Sequence, residues 1–158
     1  PSMQFEVAEN CMTCHGLAHP NLKADDLAKM LGAGHPINPE FEIVKYSQGT
    51  VRHRHYPPDI KTNAEMTPKE LANVYAVGQA AALVSAVEAI SKSSEEKYKQ
   101  AQNKRVEIAK AALGGIPEAA GLLAAPTRQN ALSFVKSIAG KDLTGAVGGK
   151  LPAKSDYK

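Results

Sequence analysis

The chain has little cysteine, few aromatic side chains and no strong charge of either sign. It contains two cysteines and no Trp in 158 residues, and aromatic residues make up 5% of it. Two cysteines cannot form the dense disulfide framework of small secreted domains. A net charge of +3 is too small to predict binding to nucleic acid, although it suits docking on an acidic partner protein.

Long hydrophobic runs are also lacking. Hydrophobic residues account for 43% of the chain, and no run approaches the ~20 apolar residues of a membrane span. We therefore predict no membrane span. Much of the apolar content is Ala, which predicts a thin core for one ordinary domain or a small domain with an extension.

The two cysteines lie together in a Cys-Met-Thr-Cys-His pentapeptide at residues 11–15. Cys-x-x-Cys-His is the attachment signature of c-type haem, because two thiols at this spacing can each form a thioether with one porphyrin vinyl group. The next residue can then offer an imidazole nitrogen to the iron. We predict one covalent haem on Cys11 and Cys14, with His15 as the proximal iron ligand.

Two other sites use closely spaced cysteines. A redox dithiol of the thioredoxin type requires a βαβ context, and no strand pattern surrounds the pentapeptide. A zinc site requires a third and a fourth ligand at metal spacing. Haem attachment is therefore the favoured interpretation.

The hydrophobic pattern predicts an all-α chain. We expect helices over residues 3–10, 22–31, 38–49 and 127–139, with Gly32 closing the second and Asn38 capping the third. Another helix should begin at a capping box formed by residues 67–70. Residues 68–113 fit either one long helix or a helical hairpin.

The element order resembles that of the small bacterial class I cytochromes c. The resemblance covers about residues 3–78 and consists of a helix, the pentapeptide, two helices, a Pro-rich loop and a capped helix carrying Tyr75. It implies a haem domain over residues 1–78, followed by a helical extension (79–140) and a loosely ordered tail (141–158). In that family the Pro-rich loop supplies a Met as the sixth iron ligand.

The corresponding loop of this chain departs from the family pattern, because Tyr56 takes the place of the ligand Met before Pro57-Pro58. His53 and His55 would point to the same side of an extended segment. We predict His55 as the distal ligand because it fits the family register better. His53 is one alternative, and Tyr56, water or an open iron position are others.

Met66 is a further distal candidate, because Met/His ligation is common in cytochromes c. It directly precedes the expected cap Thr67, where a Met can pack on Leu71 as a hydrophobic staple. The family also uses a Pro carbonyl to orient the proximal imidazole, and only Pro20 and Pro36 are near enough in sequence to do so here.

These features predict a periplasmic electron-transfer protein with a protein redox partner. Haem is attached to such motifs outside the cytoplasm, and the sequence begins at Pro1 without Met, so we expect a removed signal peptide. The alternatives are a haem-based gas sensor or binder, and a peroxidase-type enzyme in which Arg52 or Arg54 assists a distal His. The basic residues of segment 91–113, Arg105 among them, fit a solvated helix face. The alternative is that this stretch, together with the small apolar faces in residues 79–140, binds a second copy of the chain or a heteromeric partner.

Overall fold

The computed structural model describes residues 2–49 and 65–158, and all regular structure in these ranges is helical. The α-helices are α1 (Ser2–His15), α2 (Ala24–Gly32), α3 (Ile43–Ser47), α4 (Pro68–Lys92), α5 (Glu96–Leu113), α6 (Ala120–Ala124), α7 (Arg128–Ser137) and α8 (Thr144–Val147). Short 3-10 turns occupy Pro117–Ala119, Gly148–Lys150 and Lys154–Asp156. The all-α prediction is confirmed.

Helix α4 begins with the predicted capping box. The Thr67 hydroxyl accepts a hydrogen bond from the Glu70 amide (3.3 Å), and the Glu70 carboxylate accepts one from the Thr67 amide (2.7 Å). The helix ends at Lys92, and α5 begins at Glu96 and packs along it. Residues 68–113 therefore form a helical hairpin, not one long helix.

Helix α4 is the centre of the molecule. Its buried positions extend around most of its circumference and are not confined to one stripe. It is long and apolar enough to cross a membrane, but 72% of its most apolar window is buried inside the molecule. Membrane spans and core helices share this composition, and the burial gives α4 the position of a core helix.

Helix α1 is longer than predicted and contains the pentapeptide. It extends to His15 instead of ending near residue 10. Phe5, Ala8 and Met12 are buried in the main core, where α1 packs along α4. The pentapeptide therefore occupies the last turns of a packed helix.

The predicted glycine cap of α2 is wrong by two residues. Gly32 is the last helical residue, and Gly34 (φ +94°) takes the left-handed position after the helix. The Gly34 amide donates to the Leu31 carbonyl (3.1 Å) and the His35 amide to the Met30 carbonyl (3.0 Å). These two bonds form a Schellman motif, which places the glycine one residue beyond the C-cap.

Helix α3 begins later than predicted. Asn38 does not cap it, because the Asn38 side chain accepts from the Glu40 amide (3.1 Å) in a turn that precedes the helix. Glu42 is the N-cap, and its carboxylate accepts from the amides of Val44 (2.8 Å) and Lys45 (2.9 Å). A side chain that satisfies two free amides at once fixes the start of the helix.

The expected boundary between residues 78 and 79 lies in the middle of α4. A main hydrophobic core joins both sides of it, since it contains Phe5 and Ile43 as well as Leu113 and Phe134. The segment 141–158, expected to be loosely ordered, includes α8 and buries Val147 in this core. The small apolar faces that predicted association are therefore largely covered within the chain.

Candidate cofactor-attachment site

The three chemically active side chains of the pentapeptide lie on one face of α1. Cys11, Cys14 and His15 have the spacing i, i+3 and i+4, which brings side chains together on a helix surface. Cys11 is half-buried and Cys14 is exposed, and both are free thiols. Two thiols and one imidazole on the same face at the end of a helix fit the attachment of a single porphyrin.

The setting of the thiols differs from that of a redox pair of the thioredoxin type. Burial raises the pKa of the Cys11 thiol, which outweighs a smaller lowering by a backbone hydrogen bond. Redox pairs of that type occur next to strands, which residues 2–49 and 65–158 do not contain. Within the same ranges, no group of three or more His, Cys, Asp or Glu side chains could hold a metal ion.

An aromatic stack holds the His15 ring. The imidazole lies parallel to the Phe41 ring, with centroids 4.0 Å apart and an interplanar angle of 6°. Tyr46 packs against both rings, with its centroid 5.8 Å from that of His15 and 4.8 Å from that of Phe41, and the side-chain Nδ2 of Asn38 donates to its hydroxyl (3.1 Å). Partial desolvation lowers the pKa of His15 and so favours the neutral imidazole, which is the form that binds iron.

The described contacts of the His15 ring are with aromatic side chains and not with the expected proline carbonyl. Within the described part of the chain, neither Pro20 nor Pro36 forms a hydrogen bond with the His15 ring, and the Pro36 carbonyl instead contacts His35 Nδ1 (2.9 Å). Phe41 therefore packs flat against the imidazole and restricts rotation of the ring.

The backbone turns sharply directly after His15. The Leu17 amide donates to the Cys14 carbonyl (3.1 Å) and the Ala18 amide to the Thr13 carbonyl (3.1 Å), which is again a Schellman motif. The left-handed position is occupied by Leu17 (φ +47°), where glycine is usual. A non-glycine residue in this conformation costs about 1–2 kcal/mol.

Three side chains of α5 reach this turn. The Tyr98 hydroxyl donates to the Leu17 carbonyl (2.6 Å). Gln102 Nε2 (2.9 Å) and Arg105 Nη1 (3.1 Å) both donate to the Gly16 carbonyl. Helix α5 thus contributes directly to the segment that carries His15.

Arg105 is a functional candidate that the sequence analysis counted among solvated basic residues. Its side chain is only 3% exposed, and desolvation lowers its pKa to about 10. A signal was present, because Tyr98, Gln102 and Arg105 have the spacing i, i+4 and i+7 of one helix face. Polar residues on the face that packs inward indicate specific hydrogen-bond partners.

The predicted distal ligands are only partly described. His53, His55 and Tyr56 lie outside the described residues. Met66 is half-buried against the main core, and its sulfur accepts a hydrogen bond from Gln48 Nε2 (3.6 Å). Leu71 packs against the same core, and its contact with Met66 in a staple stays a prediction.

A cavity of about 290 Å³ lies beside a different face of α1. Glu9 and Thr13 of α1 line it together with His19, Leu27 and Ser85. These positions of α1 differ from those of the two cysteines and His15, so this cavity is separate from the attachment face.

Comparison of the chain with protein-family models, curated proteins and solved structures finds no match. The resemblance to class I cytochromes c therefore depends on the pentapeptide and on the order of the elements. Function has to be argued from the site itself.

Proposed function

We propose that the chain is a monohaem c-type cytochrome that carries single electrons between protein partners. Cys11 and Cys14 hold the haem, and His15 is the proximal ligand. The observation that supports this most is the placement of two unpaired thiols and an imidazole on one face at the end of α1. A bound c-type haem supplies reversible one-electron Fe(III)/Fe(II) chemistry.

The side chains have separate tasks in this proposal. Cys11 and Cys14 would each hold the haem through a thioether, formed by adding the sulfur to one vinyl carbon and the thiol hydrogen to the other. His15 stays neutral and offers a nitrogen atom to the iron, and its stack on Phe41 limits rotation of the ring. A fixed ligand lowers the reorganisation that accompanies each change of charge.

For the distal position we propose His55, with His53 and Met66 as the alternatives. Iron ligation by Met66 would require its sulfur to leave the Gln48 side chain and the core surface where it packs. Two imidazoles stabilise ferric iron more than an imidazole and a thioether do, so the proposal includes a reduction potential below that of His/Met cytochromes.

The location and partners follow from the same chemistry. Haem is attached to Cys-x-x-Cys-His outside the cytoplasm, so we place the protein in the periplasm with a redox partner protein. The small net charge of +3 gives no reason to include nucleic acid among the partners.

Absorption spectra of the ferric and ferrous protein test this function. We expect a six-coordinate, low-spin ferric spectrum without the far-red band of Met ligation. His55→Ala should convert it to a high-spin spectrum, whereas Met66→Ala, the matched control, should leave it low-spin and reduce only stability. The opposite result for these two variants would establish His/Met ligation.

A high-spin wild-type spectrum would contradict the electron-transfer proposal. An open iron position would instead favour the gas sensor or binder, and rapid reaction with peroxide would favour the peroxidase-type enzyme. Carbon monoxide and hydrogen peroxide added to the wild-type protein distinguish these two alternatives.

A further inference from the structure

Helix α1 ends directly after His15 in a turn that another helix holds in place. We propose that Tyr98, Gln102 and Arg105 of α5 are positioning residues, which fix the Gly16–Leu17 turn and thereby the orientation of His15. This inference rests on the proposed function, because the orientation of His15 matters to the haem only if His15 is an iron ligand. It also makes the hairpin helix, which the sequence analysis assigned to an extension, part of the attachment site.

The hydrogen bonds converge on two successive carbonyl groups. The Gly16 carbonyl accepts from Gln102 and Arg105, and the Leu17 carbonyl accepts from Tyr98. Carbonyl groups at the C-terminal end of an α-helix have no N–H partner within the helix. All three donors come from one face of α5, so the turn is attached to a rigid 18-residue helix and not to another loop.

The fit around Gly16 is tight. A Cβ atom at this position would overlap the Arg105 guanidinium, with Nη1 only 2.6 Å away. Moving the guanidinium aside would break its bonds to the Gly16 carbonyl and to the Ser85 hydroxyl (3.1 Å). The absence of a side chain at Gly16 therefore leaves the space that the buried Arg105 guanidinium occupies.

The residue with strained backbone, Leu17, is the one whose carbonyl accepts the Tyr98 hydrogen bond. Leu17 has the left-handed conformation and buries its side chain in a small core cluster with Leu27 and Tyr98. Strained backbone persists only where the surroundings determine it, and it is concentrated at functional sites. Tyr98 belongs to the same core cluster as the Leu17 side chain, and its hydroxyl donates a hydrogen bond to the Leu17 carbonyl.

Arg105 also places a buried positive charge close to the proximal ligand. Its hydrogen-bond partners in the described part of the chain are all neutral: the Gly16 carbonyl, the Gln102 side-chain oxygen (2.5 Å) and the Ser85 hydroxyl. In the described part of the chain, no carboxylate forms an ion pair with it. A charge without a counter-ion disfavours ferric iron, so Arg105 should raise the reduction potential.

The test compares haem-loaded wild type with Tyr98→Phe, Arg105→Lys and Arg105→Met. Lys150→Met is the matched control, because Lys150 donates two bonds to the carbonyls of Ala111 and Ala112 at the far end of α5. The readouts are amide hydrogen exchange of residues 16–18, the ferric electron paramagnetic resonance spectrum and the reduction potential.

We expect Tyr98→Phe to speed exchange of the Leu17 and Ala18 amides about fivefold, the factor that one net hydrogen bond represents. The g-values, which report the orientation of the axial imidazole, should shift. Arg105→Met should lower the reduction potential and Arg105→Lys should keep it near the wild-type value. Lys150→Met should leave all three readouts unchanged.

If haem-loaded Tyr98→Phe has the same amide exchange rates and g-values as the wild type, this inference alone is overturned. The three residues would then be ordinary core side chains. Equal shifts in Lys150→Met would also overturn it, because they would reflect general destabilisation of α5. A wild-type protein that carries no haem would overturn the proposed function itself.

Discussion

Helices α1 and α2 end in the same hydrogen-bonding motif, yet the two ends differ in strain and in support. The end of α2 uses Gly34 in the left-handed position, and both Gly32 and Gly34 have open space around them. The end of α1 uses Leu17, which is 3% exposed, and receives three hydrogen bonds from α5.

The two helix ends therefore differ in how much of the surrounding structure they depend on. Glycine makes the turn after α2 without strain, so that end needs no further partner. The turn after α1 combines strain, burial and hydrogen bonds from a distant helix directly after His15. We infer that the additional support belongs to the function of the motif and not to the termination of the helix.

The largest difference is expected between Gly16→Ala and Gly32→Ala. The first places a methyl group against the buried Arg105 guanidinium and should lower the free energy of unfolding by about 2–3 kcal/mol. The second meets no atom within 4 Å and should raise the free energy of unfolding by about 0.5 kcal/mol through helix propensity. Urea unfolding measures both, and equal effects would remove the contrast between the two helix ends.

A smaller and more informative difference is expected at the left-handed positions. Leu17→Gly relieves about 1 kcal/mol of strain but gives up about 2–3 kcal/mol of side-chain burial, so the net loss of stability should be about 1–2 kcal/mol. Gly34→Ala should cost about 1 kcal/mol because it introduces strain without burial. An increase in the stability of Leu17→Gly in urea unfolding would mean that strain outweighs packing at this turn.

The smallest expected effect concerns the histidines near the two ends. Phe41→Leu removes the ring stacked on His15 and should cost about 1 kcal/mol, the value of an aromatic pair beyond its buried area. His35→Gln changes a ring whose described polar contact is the neighbouring Pro36 carbonyl, and its effect should stay within about 0.5 kcal/mol. In the haem-loaded protein, Phe41→Leu should also shift the ferric g-values, whereas His35→Gln should not.

Local signals in the sequence predicted several helix ends well. Thr67 and Glu70 form the expected capping box, and Thr127 caps α7 by accepting from the Asn130 amide (3.2 Å). Each of these ends is decided by side chains within three residues, so a pattern of residue types suffices to predict it. The predictions failed at the end of α1, at the start of α3 and at α2, where two glycines compete and the hydrogen bonds of the turn decide between them.

The support of the candidate site could not be predicted in the same way. Tyr98 and Leu17 are 81 residues apart, and Arg105 and Gly16 are 89 apart. Such pairs form only after the α4–α5 hairpin has packed against α1. The sequence reveals the cysteines and His15 as a contiguous motif, whereas the residues that hold the next turn look like part of a charged helix surface.

The same tertiary packing covers part of the apolar surface of residues 79–140, and the expected association through this segment stays a prediction. Their small apolar faces were expected to need an external partner, because a domain ending at residue 78 leaves them uncovered. Helix α4 continues through that position to Lys92 and buries Leu83 and Val84, while α5 buries Leu113 against the same core. The hairpin is therefore integral to the fold of the described chain.

The covalent bond to haem is the central claim, and the mass of the protein after acid–acetone extraction tests it most directly. The chain should be produced in cells that attach c-type haem, together with a Cys11→Ala/Cys14→Ala double variant as control. We predict that the wild-type polypeptide keeps the mass of one haem after extraction, on the peptide that contains residues 11–15, and that the double variant keeps none. Haem that leaves the wild-type polypeptide, or a wild-type chain of unmodified mass, would contradict the account.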